Sequence, residues 1–322
     1  MNYDVFNGDA DGILALVQWR LAYPEENQLI TGIKRDISLL KRIPIENIDK
    51  TSTVTVFDIS MEKNIEALKC ILQRGAKVVY ADHHRPGEIP QSSQLDAHID
   101  LSSDTCSALI VDELLNGKFH FWAIAAAYGD NLVDVADKLA RKAGLSDSEA
   151  NLLKEFGTLI NYNGYGAHTD DLAYHPADLF RLLVKESNPF DIIGQTGSPY
   201  DVLKTAFESD FKQAESAEVI HESSVCLAVQ LADEPWSRRI SGTFGNHLAN
   251  QNPERAHLVI TEVDNQHVLV SLRAPLNNKA HAGDICSQFE TGGGRAGAAG
   301  INKLPKEKLT ELIRSVEITY QK

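Results

Sequence analysis

The chain has few cysteines, and no two of them are close in sequence. Of its 322 residues only four are cysteine: Cys70, Cys106, Cys226 and Cys286. A CxxC pair would indicate a zinc site or a redox dithiol, and the sequence has neither signature. Because each cysteine lies in an apolar or helix-like pattern, we expect buried free thiols and a reducing, cytoplasmic environment.

The sequence also lacks a long apolar run. No uninterrupted apolar stretch approaches the roughly 18 residues that a membrane-spanning helix needs. From Met1 the chain passes directly into a short apolar segment that ends at Asn7, without the pattern of a secretory signal. We therefore expect a cytoplasmic protein with no membrane partner.

Positive charge is scarce. The chain has 31 Lys and Arg residues against 45 Asp and Glu residues, which gives a net charge of −14. Proteins that coat long nucleic acids neutralise many phosphates with clustered Lys and Arg, so the composition argues against a long duplex as partner. An acidic chain can still bind a phosphate locally when its carboxylates hold divalent metal ions that face the substrate.

The order of predicted elements indicates an α/β fold. β-branched runs at Tyr3 to Phe6, Thr53 to Phe57 and Ala76 to Ala81 alternate with helix-period segments, which favours an N-terminal, mostly parallel sheet with flanking helices. The segment Asn161 to Pro176 is predicted to be a loop. A long helix is predicted over Asp201 to His221, and strand-like runs beyond it indicate a smaller C-terminal α+β domain.

About two domains are expected for this length, at ~150 residues per domain. Gly194, Gly197 and Pro199 indicate a boundary in the middle of the chain. We place a first domain at 1–195, a linker helix at 196–222 and a second domain at 223–322.

Acidic residues follow the first two predicted strands. Asp9 and Asp11, separated by one residue, come just after the first strand, and Asp58 directly follows the second. Open α/β sheets bind ligands outside the carboxyl ends of their strands, so these side chains are candidates for a metal site at that edge. Taken singly, each motif also suits an ordinary turn or a helix N-cap.

The third predicted strand leads into a cluster of a carboxylate, two imidazoles and a guanidinium: Asp82, His83, His84 and Arg85. One imidazole can bind a metal while the other meets a substrate phosphate. A lone histidine is more often structural, but a triplet in this position favours a function. Asp130 ends an apolar helical segment, where a solvated acid after a helix-terminating glycine is the alternative.

Together these positions supply five carboxylates and two imidazoles, with no thiolate. Oxygen and nitrogen donors of this kind suit Mn²⁺ or Mg²⁺ better than a structural Zn²⁺ ion. Two such ions about 3.5–4 Å apart would form a clamp for in-line displacement at phosphorus. We therefore predict a centre of two ions, with Mn²⁺ as the expected metal and Mg²⁺ or Co²⁺ as alternatives.

The order of the motifs resembles the DHH phosphoesterase superfamily, which is named for its Asp-His-His signature. An Asp-x-Asp pair, the single Asp58, the triplet at 82–84 and the later Asp130 follow one another as in that family. The run at 289–300, Phe-Glu-Thr-Gly-Gly-Gly-Arg-Ala-Gly-Ala-Ala-Gly, resembles the glycine-rich substrate motif of the DHH-associated domain. The chain is similar to the members that act on nanoRNA and pGpG-type dinucleotides.

The resemblance implies a catalytic, metal-binding first domain and a substrate-binding second domain. It also implies a set of metal ligands. Asp9 and Asp58 would hold one Mn²⁺ ion. The second ion would be held by Asp11, Asp58, His83 and Asp130, with Asp58 as the bridge.

Two signature residues are expected to act around the metals rather than on them. Asp82 would orient the cluster, and His84 would face the scissile phosphate. Asn7 stands where many small-nucleotide members have a histidine. Because an amide is a poorer metal ligand, the first ion is expected to bind weakly or through water.

The resemblance and the charges also indicate six substrate contacts: Gly292, Gly293, Gly294, Arg295, Arg273 and Arg85. Glycines allow close backbone approach to a ligand and offer N–H donors to an anion. Arg295 stands where small-nucleotide members often have a histidine, and it could bind a terminal phosphate or a guanine edge. A solvated arginine is the commoner outcome for Arg273 and Arg85.

The predicted activity is hydrolysis of short linear oligonucleotides, in particular 5′-phosphorylated dinucleotides such as pGpG, to mononucleotides. Alternatives with the same chemistry are a 3′-phosphoadenosine 5′-phosphate phosphatase, a single-strand exonuclease and a cyclic dinucleotide phosphodiesterase. A catalytically silent nucleotide-binding module is the alternative from another class, because Asn7 departs from the family pattern. An RNA-contacting glycine-rich domain is disfavoured by the acidic charge. Base preference is left open, as is oligomeric state, for which a homodimer is one alternative.

Overall fold

A parallel five-stranded sheet lies at the centre of the N-terminal unit, Met1–Thr205, in the computed structural model, which describes residues 1–321. Its strands are β1 (Tyr3–Phe6), β2 (Gln28–Ile30), β3 (Thr53–Phe57), β4 (Lys77–Asp82) and β5 (Leu95–Ile99). They lie in the order β2-β1-β3-β4-β5, and every pairing is parallel. All five carboxyl ends therefore meet at one edge, and the predicted α/β class is confirmed.

Eight helices accompany this part of the described chain: α1 (Ala10–Ala22), α2 (Met61–Gln73), α3 (Ser107–Leu114), α4 (His120–Gly129), α5 (Val133–Lys142), α6 (Asp147–Asn163), α7 (Pro176–Leu183) and α8 (Pro199–Ala214). The sequence of β3, Thr-Val-Thr-Val-Phe, is buried over its last four residues, as expected of an inner parallel strand. Helix α1 has apolar residues all round and is buried over most of its length. The boundary between the two units falls inside α8.

Small residues let three helices approach one another next to the acidic motifs. A Cβ added to Gly157 of α6 would lie 1.9 Å from the carbonyl oxygen of Ala125 in α4. A Cβ added to Gly129, the last residue of α4, would lie 2.5 Å from the Cβ of Ala10 in α1. Because Ala10 separates the two acids of the first motif and Gly129 precedes Asp130, this packing fixes where those acids lie.

The C-terminal unit, from residue 206 on, contains a mixed six-stranded sheet. Its strands are β6 (Glu218–Glu222), β7 (Cys226–Leu231), β8 (Ala256–Glu262), β9 (His267–Arg273), β10 (Gly292–Gly294) and β11 (Ala298–Pro305), in the order β10-β11-β9-β8-β7-β6. Within this second sheet, the β7–β8 pairing is parallel and the other described pairings are antiparallel. The helices are α9 (Pro235–Gln251), α10 (Ala282–Cys286) and α11 (Leu309–Tyr320).

The two faces of this sheet have different helical partners. Leu258 and Ile260 of β8 belong to a buried core with Leu312 and Val316 of α11. Val259, between them, points the other way, since its Cγ2 would lie 3.7 Å from a Cβ at Gly245 of α9. The period of two along β8 thus covers both faces of the sheet.

Three local predictions are wrong in part. The linker helix predicted to reach His221 ends at Ala214, and Glu218–Glu222 form strand β6 because they pair with β7. The loop predicted from Asn161 begins later, since α6 continues to Asn163. Cys70 is exposed on α2, whose buried face carries Leu68 and Ile71 instead.

Within residues 1–321, none of the helices combines the length and apolarity that a bilayer crossing requires.

The α4–α6 contact leads to a stability prediction. We expect Gly157→Ala to lower the free energy of unfolding by about 1–3 kcal/mol, because the new methyl group meets a backbone oxygen that cannot move away. Gly245→Ala in α9 is the matched control, since its Cβ makes an ordinary 3.6 Å contact with Cγ of Arg273. There the helix propensity of alanine should leave stability equal or higher by up to ~1 kcal/mol. Urea unfolding measures both variants, and equal changes would contradict the packing argument.

Candidate metal centre

The two acids after β1 are held by backbone N–H groups. Asp9 is the N-cap of α1, and its Oδ1 accepts a hydrogen bond from Gly12 N at 3.1 Å. Asp11 lies in the first turn of α1, and its two oxygens accept from Ser107 N at 2.8 Å and Ala108 N at 2.7 Å, at the start of α3. Asp9 therefore has a structural role as the cap of α1. This role also fixes the carboxylate at the carboxyl edge of the sheet.

Asp58 is buried directly after β3 in a left-handed conformation, with φ 57°. Its backbone N–H donates to Ala81 O at 3.1 Å, so the residue stays tied to the neighbouring strand β4. A non-glycine residue in this region costs on the order of 1–3 kcal/mol, and such residues concentrate at functional sites. The strain turns the carboxylate toward the residues that follow β4.

His83 brings the acids after β1 and β3 together. Its Nε2 lies 3.5 Å from Asp58 Oδ1 and 3.8 Å from Asp11 Oδ2. Its Nδ1 lies 3.2 Å from the carbonyl oxygen of Thr105. A carbonyl accepts only from a protonated nitrogen, so this contact favours Nδ1–H and leaves the Nε2 lone pair facing the carboxylates. That is the tautomer in which a histidine binds a metal.

His84 has a different partner. Its Nδ1 lies 2.7 Å from Asp82 Oδ1 and 3.8 Å from Asp58 Oδ1. Burial, the largest influence, lowers the pKa of His84, but the hydrogen bond to Asp82 and the charges of Asp58 and Asp82 outweigh it and raise the pKa above its usual value. The ring packs edge-on against His83, with centroids 4.6 Å apart. The raised pKa favours the protonated ring of His84 beside the cluster, and 37% of its side chain is exposed.

A lysine that the sequence analysis did not single out completes the cluster. Lys34 follows β2, and its Nζ lies 2.6 Å from Asp9 Oδ2 and 3.9 Å from Asp130 Oδ1. Asn161 of α6 accepts from the same ammonium group at 2.8 Å. The signal that could have found Lys34 is the one used for the acids, namely a charged residue just beyond the carboxyl end of a strand.

The charges of the cluster are unevenly balanced. Burial, together with the charges of Asp9 and Asp11, raises the pKa of Asp58 well above its usual value. Burial also raises the pKa of Asp11, and Asp130 and Asp9 add to this effect. Burial alone would raise the pKa of Asp9 as well, but Lys34 outweighs it and lowers that pKa. Buried carboxylates with raised pKa values are stabilised as anions when a cation binds beside them.

The donors fit a divalent ion of the Mn²⁺ or Mg²⁺ type. Ligand atoms of Asp58, His83 and His84 all lie within 4.8 Å of one another. Asn7 Oδ1 is buried and has no hydrogen-bond partner within residues 1–321, while its Nδ2 donates to Lys34 O at 3.2 Å. Carboxylate and amide oxygens with one or two imidazoles are ligands that these ions accept.

The six predicted substrate contacts are divided between the two units, with Arg85 in the first and the other five in the second. Arg85 is exposed just after the His-His pair, and Arg295 is exposed in the turn between β10 and β11. Arg273 is braced within the C-terminal unit, where its Nε donates to Asn246 Oδ1 at 2.5 Å and one terminal nitrogen donates to Gly242 O at 2.9 Å. These three arginines stay predictions.

Two of the three motif glycines have a structural explanation. A Cβ at Gly292 would lie 1.8 Å from Cys286 O, and Gly294 has a φ of 143° with Ala299 Cα 2.5 Å from its Cβ position. At Gly293 no atom lies within 4 Å of an added Cβ. Of these glycines, only Gly293 therefore leaves open space for a ligand.

Comparison with known proteins is consistent with this geometry. The DHHA1 domain family matches residues 223–322. Among curated protein sequences, none matches the chain. The DHH domain of a member of the s1p family of ribosomal proteins superposes with a TM-score of 0.61 at 15% identity, covering 100% of this chain and 86% of the other.

Two further solved structures share the fold. RecJ from Thermus thermophilus, in complex with Mn²⁺, gives a TM-score of 0.62 at 14% identity over 99% of this chain and 52% of RecJ. The chain thus spans about half of that protein's length. A pGpG-specific phosphodiesterase, PggH from Vibrio cholerae, gives a TM-score of 0.54 at 15% identity over 99% of each chain.

A parallel sheet with an acid and histidine cluster at its carboxyl edge, followed by a second mixed sheet, is the fold that this chain shares with these solved structures. Residues 223–322 are a DHHA1 domain. For this C-terminal part of the chain, the resemblance stated from the sequence motifs is confirmed.

The electrostatics predict how Asp58→Asn behaves. In the wild-type protein, Mn²⁺ at 100 times its Kd should raise the free energy of unfolding by about 2.7 kcal/mol. The variant should lose most of that increase because a charged ligand is gone. Asparagine tolerates the left-handed backbone, so the fold is kept. Thermal unfolding with and without Mn²⁺ measures the difference, and Asp147→Asn at the exposed start of α6 is the control.

Wild type and Asp58→Asn should also differ in how their stability depends on pH once a chelator has removed the metal. A carboxyl group whose pKa is raised by folding contributes stability that is lost as the pH rises through the folded value. As the pH rises above the usual range of a carboxyl pKa, metal-free wild type should therefore lose stability more steeply than Asp58→Asn. Parallel curves for the two proteins would contradict the raised pKa of Asp58.

Proposed function

We propose that this protein is a divalent-metal-dependent phosphodiesterase that hydrolyses short linear oligonucleotides, with 5′-phosphorylated dinucleotides such as pGpG as its best substrates. The observation that carries the proposal is the cluster of Asp11, Asp58 and His83 at the carboxyl edge of the sheet, with His84 beside it. The likeness to a pGpG-specific phosphodiesterase over nearly the full length of both chains supports the choice of substrate.

The proposed cofactor is Mn²⁺, which the structure of RecJ contains. Asp11, Asp58 and His83 would hold one ion, and Asp9 and Asp58 a second, with Asn7 Oδ1 as a further donor. The resemblance implies Asp130 as a ligand of the first ion, but because Lys34 Nζ lies near both Asp9 and Asp130, we assign Asp130 to the second. When bound, the metal supplies Lewis-acid activation of water and neutralises charge on the phosphoryl oxygens. The orphaned amide oxygen and the raised carboxyl pKa values support this assignment.

The residues around the metal position control protons and orientation. The contact with Asp82 holds the His84 ring through Nδ1 and leaves Nε2 to donate to a phosphoryl or leaving-group oxygen. The Thr105 carbonyl contacts Nδ1 of His83, so that Nε2 of this ring faces the carboxylates of Asp11 and Asp58. Two adjacent imidazoles thus have separate proposed roles, because their Nδ1 atoms have different partners.

Substrate recognition is proposed to involve the C-terminal domain, 223–322, while 1–195 is the catalytic domain and 196–222 the linker. Arg295 would bind a terminal phosphate, and the open space at Gly293 would admit the nucleotide. A free 5′-phosphate favours a linear over a cyclic dinucleotide. The proposed setting is the cytoplasm, where pGpG would connect the enzyme to cyclic di-GMP signalling and to the disposal of nanoRNA.

A substrate panel tests the proposal. With Mn²⁺, purified protein should convert pGpG to GMP at least tenfold faster than it acts on a cyclic dinucleotide, 3′-phosphoadenosine 5′-phosphate or a 24-nucleotide strand. Product analysis by chromatography separates these activities. A preference for the long strand would favour the exonuclease alternative, for which RecJ is the structural relative. Binding of pGpG without turnover would favour a silent module.

The role of His84 predicts a pH effect. His84→Ala should lower kcat by about 10²–10⁴-fold, while its affinity for Mn²⁺ stays close to that of the wild type. The raised pKa keeps His84 protonated to a higher pH than a free histidine, so activity should fall as the pH rises through the folded value. Asp82→Asn should move that fall to lower pH, because it removes a negative charge that raises the pKa of His84.

Two measurements check this assignment: kcat against pH at saturating Mn²⁺, and Mn²⁺ affinity by calorimetry. His83→Ala is the comparison variant. His83→Ala should lose metal affinity, whereas His84→Ala should not. If both variants lost metal affinity equally, His84 would be a ligand, and its proposed contact with the substrate would be wrong.

A further inference from the structure

The pocket contains a side-chain cation as well as metal donors. We propose that Lys34 is a tethered cation that occupies one of the two metal positions, so that one divalent ion binds tightly and a second binds only by displacing the Lys34 ammonium group. This inference rests on the metal-binding part of the proposed function. It is independent of which substrate the enzyme cleaves.

The contacts of the ammonium group are those of a bound cation. Nζ of Lys34 lies 2.6 Å from Asp9 Oδ2 and 3.9 Å from Asp130 Oδ1, and both of these carboxylates are buried. Asn161 Oδ1 accepts from it at 2.8 Å. A second metal ion would need the same oxygens of Asp9 and Asp130, so the ion and the ammonium group compete for them.

The position of Lys34 is set by its backbone as well. Its N–H donates to Gly164 O at 2.7 Å, and its carbonyl accepts from Asn7 Nδ2 at 3.2 Å. Both main-chain polar groups of the residue are thus paired with segments that also flank Asp9. The ring of Tyr165 lies against the ammonium group, with 5.6 Å between Nζ and the ring centroid.

Close packing holds the two segments together. A Cβ at Gly8 would lie 1.8 Å from Gly32 O, and a Cβ at Gly164 would lie 3.1 Å from Asp9 Cα. The turn before Asp9 and the turn before Lys34 therefore touch through glycine backbone. Such an arrangement places the lysine beside the acid before any ligand binds.

The other half of the cluster faces imidazoles and not an ammonium group. Nε2 of His83 lies 3.5 Å from Asp58 Oδ1 and 3.8 Å from Asp11 Oδ2, and Nδ1 of His84 lies 3.8 Å from Asp58 Oδ1. The first divalent ion is therefore expected on the Asp11, Asp58 and His83 side. On the other side, Lys34 neutralises part of the charge and lowers the affinity for a second ion.

The arrangement also gives Lys34 a role during turnover. About a fifth of its side chain, 21%, is exposed, so the ammonium group can contact a phosphoryl oxygen. It would supply there the positive charge that a second ion otherwise provides. Asn7 would act through Lys34 by holding its carbonyl, which gives the amide a purpose that a histidine at this position would not share.

The test is a Mn²⁺ titration of metal-free protein by calorimetry, followed by electron paramagnetic resonance at one and two equivalents. The variants are Lys34→Met, which removes the charge at similar length, and Lys34→Arg, which keeps it. Lys69→Met is the matched control, because Lys69 also pairs with a carboxylate, Glu66, but on the surface of α2.

Wild type, Lys34→Arg and Lys69→Met should each bind one ion tightly and a second at least tenfold more weakly, with an uncoupled Mn²⁺ spectrum at one equivalent. Lys34→Met should bind the second ion at least tenfold more tightly than wild type does, and should show the exchange-coupled spectrum of an ion pair at two equivalents. Two equally tight ions in wild type, or no change in Lys34→Met, would overturn the inference.

If Lys34→Met fails to fold, two equally tight ions in the wild-type titration would still overturn the inference. The inference about Lys34 and the proposed substrate can also be contradicted independently of each other. A protein with this binding pattern and no activity on any dinucleotide would contradict the proposed substrate and leave the role of Lys34 standing.

Discussion

The burial of several carboxylates at one edge of a parallel sheet is the constraint on which the site depends. Asp9, Asp11, Asp58 and Asp82 are each at most 3% exposed. Buried anions are costly unless they are hydrogen-bonded or paired. Backbone N–H groups at the starts of α1 and α3, two imidazoles and one lysine offset part of that cost. The raised pKa of Asp58 indicates that the compensation is incomplete without a further cation.

The position of the acids could be predicted from the sequence because it follows from chain direction. In a parallel sheet, any residue just after a strand lies at the carboxyl edge, so the strands β1, β3 and β4 were enough to group Asp9, Asp58 and the residues after Asp82. Lys34 escaped the same reasoning because β2 is only three residues long and lacks β-branched runs. Helix α9 and strand β11 were also not predicted, since their apolar periodicity is weak and their burial depends on β8 and β9.

Glycine has two different roles in this chain, and the sequence does not distinguish them. Gly129 and Gly157 allow three helices to meet where Asp9, Asp11 and Asp130 are anchored. Gly292 and Gly294 are explained by packing and by backbone conformation within their own hairpin, whereas Gly293 faces open space. A glycine-rich motif therefore mixes residues that support a binding surface with residues that form it. The two kinds of glycine are distinguished by the atoms that an added Cβ would meet.

The asymmetry of the cluster follows from which strand supplies each charge. Asp58 follows β3, and the two imidazoles follow β4. Nδ1 of His83 contacts the Thr105 carbonyl, whereas Nδ1 of His84 contacts Asp82. Lys34 follows the outer strand β2, and the carboxylates near its ammonium group are those of Asp9 and Asp130. One half of the site is thus a set of ligands in need of a cation, and the other half already contains one. A phosphoryl group bound between them would meet positive charge on both sides, only one of which depends on the metal concentration.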